Sequence, residues 1–252
     1  MRNTSYALIV CLVGIGTCLT AQDAKHGSHA WTYEGAEGPS HWGDLKPQFK
    51  TCKAGQRQSP IDIPSAEPAS LPQIQFNYKD SPLRVVNNGH TIQFNFDGGS
   101  FVAISENRYE LKQFHFHHPS EEKIQGKGFD LVAHLVHADA HGHLAVIAVL
   151  FREGTSNPAI DKLWAHIPTE EGSERSISGQ IVNAASLLPK STGYYMFEGS
   201  LTIPPCSESV TWIVLKTPAE VSPAQVSAFA TLYPNNARPT QPLNGRAIAE
   251  SK

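Results

Sequence analysis

The stretch QFHFHHPSEE, residues 113–122, places three histidines within four positions and two carboxylates close behind them. Together with YELK before it, this stretch alternates aromatic and polar residues, which is typical of a β-strand. Successive side chains of a strand point to opposite faces of the sheet. His115 and His117 therefore share one face and can converge on one metal ion, whereas His118 lies on the other face.

A second histidine cluster, VAHLVHADAHGH, covers residues 132–143 and follows the same alternation. His134 and His137 point to opposite faces, so only one of them can reach an ion held by His115 and His117. An H-x-H pair and one histidine from a neighbouring strand supply three nitrogen ligands and leave a fourth position open, as in catalytic zinc sites. Because the chain has 12 histidines, the pattern by itself is equally consistent with alternating histidines on a half-exposed strand.

The sequence around these clusters is rich in predicted strands, which are β-branched and aromatic segments separated by turn signals such as Asn88-Gly89. They are IQFNY (74–78), LRVVNN (83–88), TIQFNF (91–96), FVAIS (101–105), YELKQFHFHH (109–118), DLVAHLVHAD (130–139), LAVIAVLF (144–151) and VTWIVLK (210–216). Two helices have start signals, which are Pro158 after Asn157 and the capping box SPAQ at residues 222–225. Because the chain shows no repeat and no linker, it predicts a mostly β (α+β) fold with one domain, residues 22–252.

The first 21 residues predict a secretory signal peptide, because Arg2 precedes an apolar run that ends near the small residue Ala21. A retained membrane anchor is the alternative, although the run is short for a membrane span. Without residues 1–21, Lys plus Arg falls from 20 to 19 against 23 Asp plus Glu, which gives a formal net charge of −4. This charge argues against a nucleic-acid-binding protein and against one that binds anionic membranes. The predicted location is the periplasm or the exterior of the cell.

The chain has 4 cysteines, of which Cys11 and Cys18 belong to the predicted signal peptide. Cys52 and Cys206 remain in the exported chain. In an oxidising compartment, an even pair of distant cysteines predicts one disulfide bond. Two unpaired buried thiols are the alternative.

Eight ordered blocks carry a resemblance to a known family. They are WTYEG (31–35), GPSHWG (38–43), QSPIDI (58–63), NNGH (87–90), QFHFHHPSE (113–121), AHLVHAD (133–139), GSLTIPPCSE (199–208) and VTWIVLK (210–216). With these blocks, residues 31–248 resemble the alpha-class carbonic anhydrases, and the forms HHPSE and PPCSE resemble the bacterial, exported members. The resemblance implies a twisted, largely antiparallel central sheet of about ten strands with short helices around it.

The resemblance also implies a catalytic centre that holds one Zn²⁺ per chain. His115, His117 and His134 match the zinc ligands of the family. Thr202 and Glu121 match a pair in which the threonine hydroxyl accepts a hydrogen bond from zinc-bound hydroxide and donates one to the glutamate. The implied activity is the reversible hydration of CO₂ to bicarbonate and a proton, for which carbonic anhydrases are themselves the standard example of zinc activating water.

Further positions match residues that surround this centre in the family. His90 matches the proton shuttle, since an imidazole titrates near neutral pH. Gln113 matches an outer partner of His115, and Tyr33 matches a residue that orders active-site water. The apolar wall that holds CO₂ matches Val136, Val146, Leu201, Val210 and Trp212, and the disulfide of exported members matches Cys52 and Cys206.

The implied partners are CO₂, bicarbonate, water and a buffer that accepts the proton, with anions and sulfonamides as inhibitors. The resemblance does not decide between a monomer and a homodimer. A competing hypothesis is a carbonic-anhydrase-like module that binds zinc or a partner and has weak turnover. Retention of His90, Thr202 and Glu121 favours the enzyme, because a binding module needs no proton shuttle.

Two positions depart from the family pattern. The family usually has a glutamate two residues before the third ligand, where it accepts a hydrogen bond from that imidazole, and this chain has Val132. It usually has a polar residue after the threonine that matches Thr202, and this chain has Ile203. Val132 offers His134 no such acceptor, and the sequence leaves open whether a water or a nearby side chain takes its place. We expect zinc to be held more loosely than in relatives with the glutamate, and Val132→Glu to slow zinc loss.

Overall fold

The computed structural model describes residues 30–252, so the predicted signal peptide and its two cysteines lie outside the described residues. The described part of the chain contains fifteen β-strands and four α-helices. The strands are β1 (Asp62–Ile63), β2 (Glu67–Ala69), β3 (Ile74–Asn77), β4 (Ser81–Asn87), β5 (Ile92–Asn95), β6 (Phe101–Ile104), β7 (Asn107–His117), β8 (Lys123–Ile124), β9 (Leu131–Ala138), β10 (Leu144–Glu153), β11 (Arg175–Val182), β12 (Tyr194–Ser200), β13 (Glu208–Leu215), β14 (Ala219–Val221) and β15 (Ala249–Ser251). The helices are α1 (Trp42–Leu45), α2 (Thr51–Ala54), α3 (Pro158–Trp164) and α4 (Pro223–Ala230), and short 3-10 helices cover Gly35–Glu37, Pro47–Phe49 and Ala184–Leu187.

Thirteen of these strands form one mixed sheet, and β1 pairs with β8 outside it. Its main path runs in the order β11-β4-β5-β7-β9-β10-β13-β12-β15-β2, with β6 attached to β7, β3 attached to β6, and β14 attached to β10. The pairs of β10 with β13 and with β14, and of β15 with β2, are parallel, whereas the others are antiparallel. The predicted fold class, a largely antiparallel sheet with short peripheral helices, is confirmed.

Alternation along the central strands divides the buried side chains into two layers. Phe114, Phe116 and Leu135 belong to a large layer that also receives Ile160 of α3 and Phe229 of α4. The opposite face of the same strands contributes to a second buried cluster, whose members are Ile61, Ile63, Val132, Val146, Ala148, Leu150, Phe197, Val210, Trp212, Val214 and Ile248. We call this second cluster the pocket-side layer, because it lies on the face of the sheet to which His115, His117 and His134 point.

The pairing of β7 with β9 sets the geometry of the histidine clusters. These strands are antiparallel, with His115 opposite His134 and His117 opposite Val132. A slip of one residue would turn every side chain of one strand to the other face, so burial on both faces fixes the register.

Both predicted helices begin at their predicted signals. The Asn157 side chain accepts hydrogen bonds from the backbone N–H groups of Ala159 and Ile160 at the start of α3. Ser222 and Gln225 form the complete capping box of α4, in which each side chain bonds the backbone of the other. These contacts satisfy N–H groups that a helix leaves without partners in its first turn.

Two substantial strands were not predicted. The sequence of β11, RSISGQIV, is mostly exposed and contains Gly179 at a φ of +72°, next to an irregularity in its pairing with β4. The sequence of β12 was also passed over, although it pairs with β13 along most of its length. An exposed edge strand such as β11 carries little apolar alternation, which is the signal that the prediction used.

A disulfide bond joins Cys52 of α2 to Cys206, as predicted. Both cysteines are buried in a small aromatic cluster with Trp31, Trp42 and Phe49. The bond therefore ties the first helical turns to the loop between β12 and β13. Among residues 30–252, no helix combines the length and apolar character that crossing a membrane requires.

Candidate metal centre

Three imidazoles converge at the point where β7 and β9 pair. His115, His117 and His134 each offer a ring nitrogen, and these atoms lie within 4.8 Å of one another. His118 and His137 point away, because the His118 ring donates to the Pro234 carbonyl and the His137 ring bonds the Tyr78 hydroxyl at 2.9 Å on the other face. The structure thus brings together the two histidines of the H-x-H pair and His134 as their neighbour.

The two β7 ligands use their second ring nitrogen to donate a hydrogen bond. His115 Nδ1 donates to Gln113 Oε1 at 2.8 Å, and His117 Nδ1 donates to the Asn236 carbonyl at 2.7 Å. Each of these hydrogen bonds fixes the tautomer, so that Nε2 carries the lone pair. Burial holds the pKa of His117 well below its usual value, and this keeps the ring neutral and able to bind a metal.

His134 finds its acceptor in Glu122. Its Nε2 donates to the two carboxylate oxygens of Glu122 at 3.0 and 3.2 Å, which leaves the Nδ1 lone pair for a metal. Of the two substitutes that the sequence left open, a water or a nearby side chain, the structure shows the side chain. Val132 offers no acceptor, but a residue of the segment that follows β7 does. Burial by itself would lower the pKa of His134, and the nearby Glu122 and Glu121 charges outweigh it, so the pKa is raised.

Two buried polar atoms between these rings have no hydrogen-bond partner among the described residues: His117 Nε2 and Glu121 Oε2. They lie 3.6 Å apart, and the same carboxylate oxygen lies 3.8 Å from His134 Nδ1. Lone pairs that face one another in a dry interior are costly unless a cation lies between or beside them. Together with the three convergent ring nitrogens, this arrangement fits a bound divalent metal.

The donor set indicates which metal. Three imidazole nitrogens are borderline ligands that suit zinc, and a site with three protein ligands leaves one coordination position for water or substrate. A structural zinc site would instead close with a fourth protein ligand. Among residues 30–252, one group of three or more His, Cys, Asp or Glu side chains brings its ligand atoms this close together, and it consists of His115, His117 and His134.

Glu121 lies behind the ligands with almost no exposed surface. Its Oε1 accepts a hydrogen bond from the backbone N–H of Arg238 at 2.7 Å. Burial raises the pKa of Glu121 to about 7, while interactions with the His134 ring, the Arg238 amide and the Thr202 hydroxyl act in the opposite direction. Thr202 is itself buried, so its hydroxyl proton and the carboxylate meet away from bulk water.

The residues matched to the proton shuttle and to water ordering lie in one aromatic group. The His90 ring stacks on Trp31, with centroids 3.7 Å apart and planes 8° from parallel. Tyr33 packs edge-on against Trp31 and Trp42. Burial raises the pKa of Tyr33 well above its usual value, and the Glu121 charge adds to the rise, so the hydroxyl stays protonated.

The residues matched to the apolar wall all belong to the pocket-side layer or pack against it. Val146, Val210 and Trp212 are buried, and Val136 and Leu201 are partly buried. The Trp212 ring also contacts the His134 ring, with centroids 4.9 Å apart. Ile203, one of the two departures from the family pattern, is among the few large apolar side chains that the described residues leave exposed.

Three residues of this centre were missed in the sequence. Glu122 stands beside Glu121 in the same motif, and two adjacent carboxylates behind a histidine strand were the available signal. Asn236 and Arg238 left no local signal. Asn236 donates its side-chain N–H groups to the carbonyls of His90 and Phe116, while its own carbonyl accepts from His117, which lies 119 residues earlier.

Comparison with known proteins agrees with this geometry. The family model described as eukaryotic-type carbonic anhydrase matches residues 37–252. A carbonic anhydrase of Neisseria gonorrhoeae is 42% identical over 99% of this chain and 96% of its own length. The alpha-carbonic anhydrase of Thermovibrio ammonificans, solved in complex with the inhibitor sulfanilamide, is 44% identical, with a TM-score of 0.84 over 89% of this chain and 100% of that one.

The similar proteins also include one with a different name. Dioscorin DB3L of Dioscorea polystachya is 37% identical over 98% of this chain and 94% of its own length. The bacterial relatives, the solved structure and the family model all agree on the class of enzyme. The chain therefore belongs to the eukaryotic-type, or alpha, carbonic anhydrase family and is a carbonic anhydrase by family.

Proposed function

We propose that this chain catalyses the zinc-dependent, reversible hydration of CO₂ to bicarbonate and a proton. The observation that carries the proposal is the set of three imidazoles whose second nitrogens are all engaged as donors, so that three lone pairs converge. Such a set binds zinc and leaves one position open, as catalytic sites require. The Zn²⁺ would supply Lewis acidity that generates a nucleophile from water at neutral pH, as it does in carbonic anhydrases generally.

Thr202 and Glu121 would orient the reacting water. A hydroxyl has one proton to donate, and the buried Glu121 carboxylate is an acceptor for it. The Thr202 oxygen is then left as an acceptor and selects a group that donates a hydrogen. This requirement directs an oxygen lone pair of the reacting water towards the apolar wall.

The apolar wall would hold CO₂, which is small and carries no net charge. Val146, Val210 and Trp212 offer it a surface that excludes water and competes for no hydrogen bonds. Ile203 extends the apolar character to an exposed position beside Thr202. We propose that this residue affects the rate and leaves the reaction unchanged.

His90 would pass the proton from the centre to the buffer. Its imidazole can accept and release a proton near neutral pH, and its stacking on Trp31 fixes the position of the ring. We expect His90→Ala to lower CO₂ hydration in weak buffer by about 100-fold, a typical contribution of one proton-transfer group. Added imidazole buffer should restore much of the rate, and stopped-flow assays over a series of buffer concentrations measure this. His143→Ala, at an exposed histidine, is the control; an equal loss there would contradict the shuttle.

A stopped-flow CO₂ hydration assay with metal analysis of the same sample tests the proposed function. We expect one zinc per chain, turnover that disappears when zinc is removed, and recovery when zinc is returned. Zinc bound at this stoichiometry without turnover would overturn the proposal.

The alternative is a catalytically weakened, carbonic-anhydrase-like module that binds zinc or a partner. It is favoured by one observation, which is that relatives of similar sequence include proteins named dioscorins. The contacts of Glu121, the burial of Thr202 and the position of His90 speak for the enzyme. The two possibilities differ in turnover and not in zinc content, so the same assay separates them.

The setting of the enzyme is also part of the proposal. We propose that residues 1–21 direct export and that residues 22–252 form one catalytic domain in the periplasm or outside the cell. The disulfide and the bacterial relatives support this location. Sulfonamide inhibition is supported by the related structure that was solved with sulfanilamide.

A further inference from the structure

We infer that Glu122 is the positioning residue of this metal centre. It supplies the hydrogen-bond acceptor for His134 that β9, the strand that carries His134, does not supply. The inference rests on the proposed zinc site. Glu122 would fix the tautomer and the orientation of His134 from the segment between β7 and β8. The geometry of this segment, the burial of the carboxylate and the surroundings of Val132 all point to this role.

The backbone on both sides of Glu122 is held in place. Its carbonyl accepts a hydrogen bond from the Ser120 hydroxyl at 2.8 Å, and the same hydroxyl accepts from the backbone N–H of Phe129. On the other side, the Lys123 N–H donates to the Ile61 carbonyl at 3.2 Å, where β8 pairs with β1. A side chain that leaves such a fixed backbone has few orientations, which is what positioning another group requires.

The Glu122 carboxylate is directed only at His134. Glu122 has no exposed surface, and within residues 30–252 its carboxylate hydrogen bonds come from His134 Nε2 alone. A buried carboxylate with a single donor is unfavourable unless that donor carries or transmits positive charge. An imidazole bound to a divalent cation meets this condition, so the pair makes physical sense as the outer part of a metal site.

Val132 packs where a second carboxylate would be costly. It has no exposed surface and lies in the pocket-side layer with Ile61 and Ile63, while Ile124 packs against the same layer. Ile63 lies in β1 and Ile124 in β8, the strands that hold the backbone beside Glu122, and Ile61 directly precedes β1. The apolar side chain at 132 therefore supports the segment that presents Glu122, and a carboxylate at 132 would disturb that support.

The rate of zinc loss to a chelator tests the inference, with the folded, zinc-loaded protein and its variants under identical conditions. We expect Glu122→Ala to lose zinc about 10- to 100-fold faster, the effect of removing such an outer partner, a range measured partly in carbonic anhydrases. Glu122→Gln keeps the shape of the side chain, so it provides a second variant that leaves no cavity. It should lose zinc about fivefold faster, because a neutral amide oxygen accepts more weakly than a carboxylate. Val132→Glu should not slow zinc loss, since His134 Nε2 already has its acceptor.

Lys123→Ala is the matched control, because Lys123 is the exposed neighbour on the same segment. Zinc loss from Glu122→Gln at the wild-type rate would overturn the inference. Equally fast zinc loss from Lys123→Ala would also overturn it, because the effect would then come from disturbing the segment and not from losing the carboxylate. Slower zinc loss in Val132→Glu would show that the acceptor position is unfilled. If the wild-type protein binds no zinc, the proposed function itself fails. If the wild-type protein binds zinc but the variants do not lose it at the expected relative rates, this inference alone fails.

Discussion

Replacing His134 with alanine is expected to weaken zinc binding by more than about 100-fold and to abolish CO₂ hydration. Zinc-finger peptides bind structural zinc with an apparent free energy of about 10–16 kcal/mol. Divided among the four protein ligands of such a site, this is about 3 kcal/mol for each ligand, which corresponds to roughly a 100-fold change in affinity. The loss should exceed that of Glu122→Ala, because His134 offers its lone pair to the metal itself. Metal analysis after dialysis, followed by the stopped-flow assay, measures both effects.

Two other histidines supply the controls for His134→Ala. His118→Ala should keep the metal, because the ring of His118 bonds the Pro234 carbonyl outside the site. His137→Ala should also keep it, although it removes the partner of the Tyr78 hydroxyl and should lower stability. Zinc loss from His137→Ala equal to that from His134→Ala would mean that the two faces of β9 have been assigned the wrong way round.

Removing the disulfide is expected to lower the free energy of unfolding by up to about 5 kcal/mol. The bond spans a sequence separation of 154 residues, and in the chain-entropy model a loop somewhat over 100 residues contributes about 5 kcal/mol, an upper figure because denatured-state structure reduces it. Urea unfolding of Cys52→Ser/Cys206→Ser against the oxidised wild type measures the change.

The same bond should also matter for turnover. The backbone N–H of Cys206 donates to the Ile203 carbonyl at 2.8 Å, in the turn that directly follows Thr202. Greater mobility of this turn should lower the rate of CO₂ hydration by a larger factor than it lowers the zinc content of the protein. Thiol titration of the unfolded, unreduced wild type is the accompanying control. It should find no free thiol in residues 30–252, and two free thiols there would contradict the bond.

Alternation along strands explains why His115 and His117 could be predicted as a pair, since they are two positions apart on one strand. The family resemblance then selected His134 over His137 and supplied Gln113 as the partner of His115. Glu122 lies in a short connecting segment, where side-chain direction follows no period and depends on the pairing of β8 with β1. Neither signal could therefore identify the residue that takes the place of the missing glutamate.

Distance along the chain accounts for the remaining omissions. Asn236 contacts His117 across 119 positions of the chain, and Arg238 contacts Glu121 across 117 positions. No local sequence pattern reports contacts between residues so far apart. The short helices α1 and α2 have four residues each, too few for an apolar period to show. The edge strand β11 was not predicted for a different reason, which is that its eight residues are mostly exposed and show no apolar alternation, whereas the buried central strands were predicted within a few residues.

The antiparallel pairing of β7 with β9 also sets an order of events as the protein folds. His115 and His134 face each other across this pair, so neither strand alone presents three nitrogens. Before the strands meet, His115 and His117 offer at most a two-ligand site, which binds a metal far more weakly. Capture of the proposed zinc should therefore follow strand pairing. A ligand that binds the folded chain and not the unfolded one stabilises the folded state by mass action. The ion should thus stabilise the native protein against unfolding.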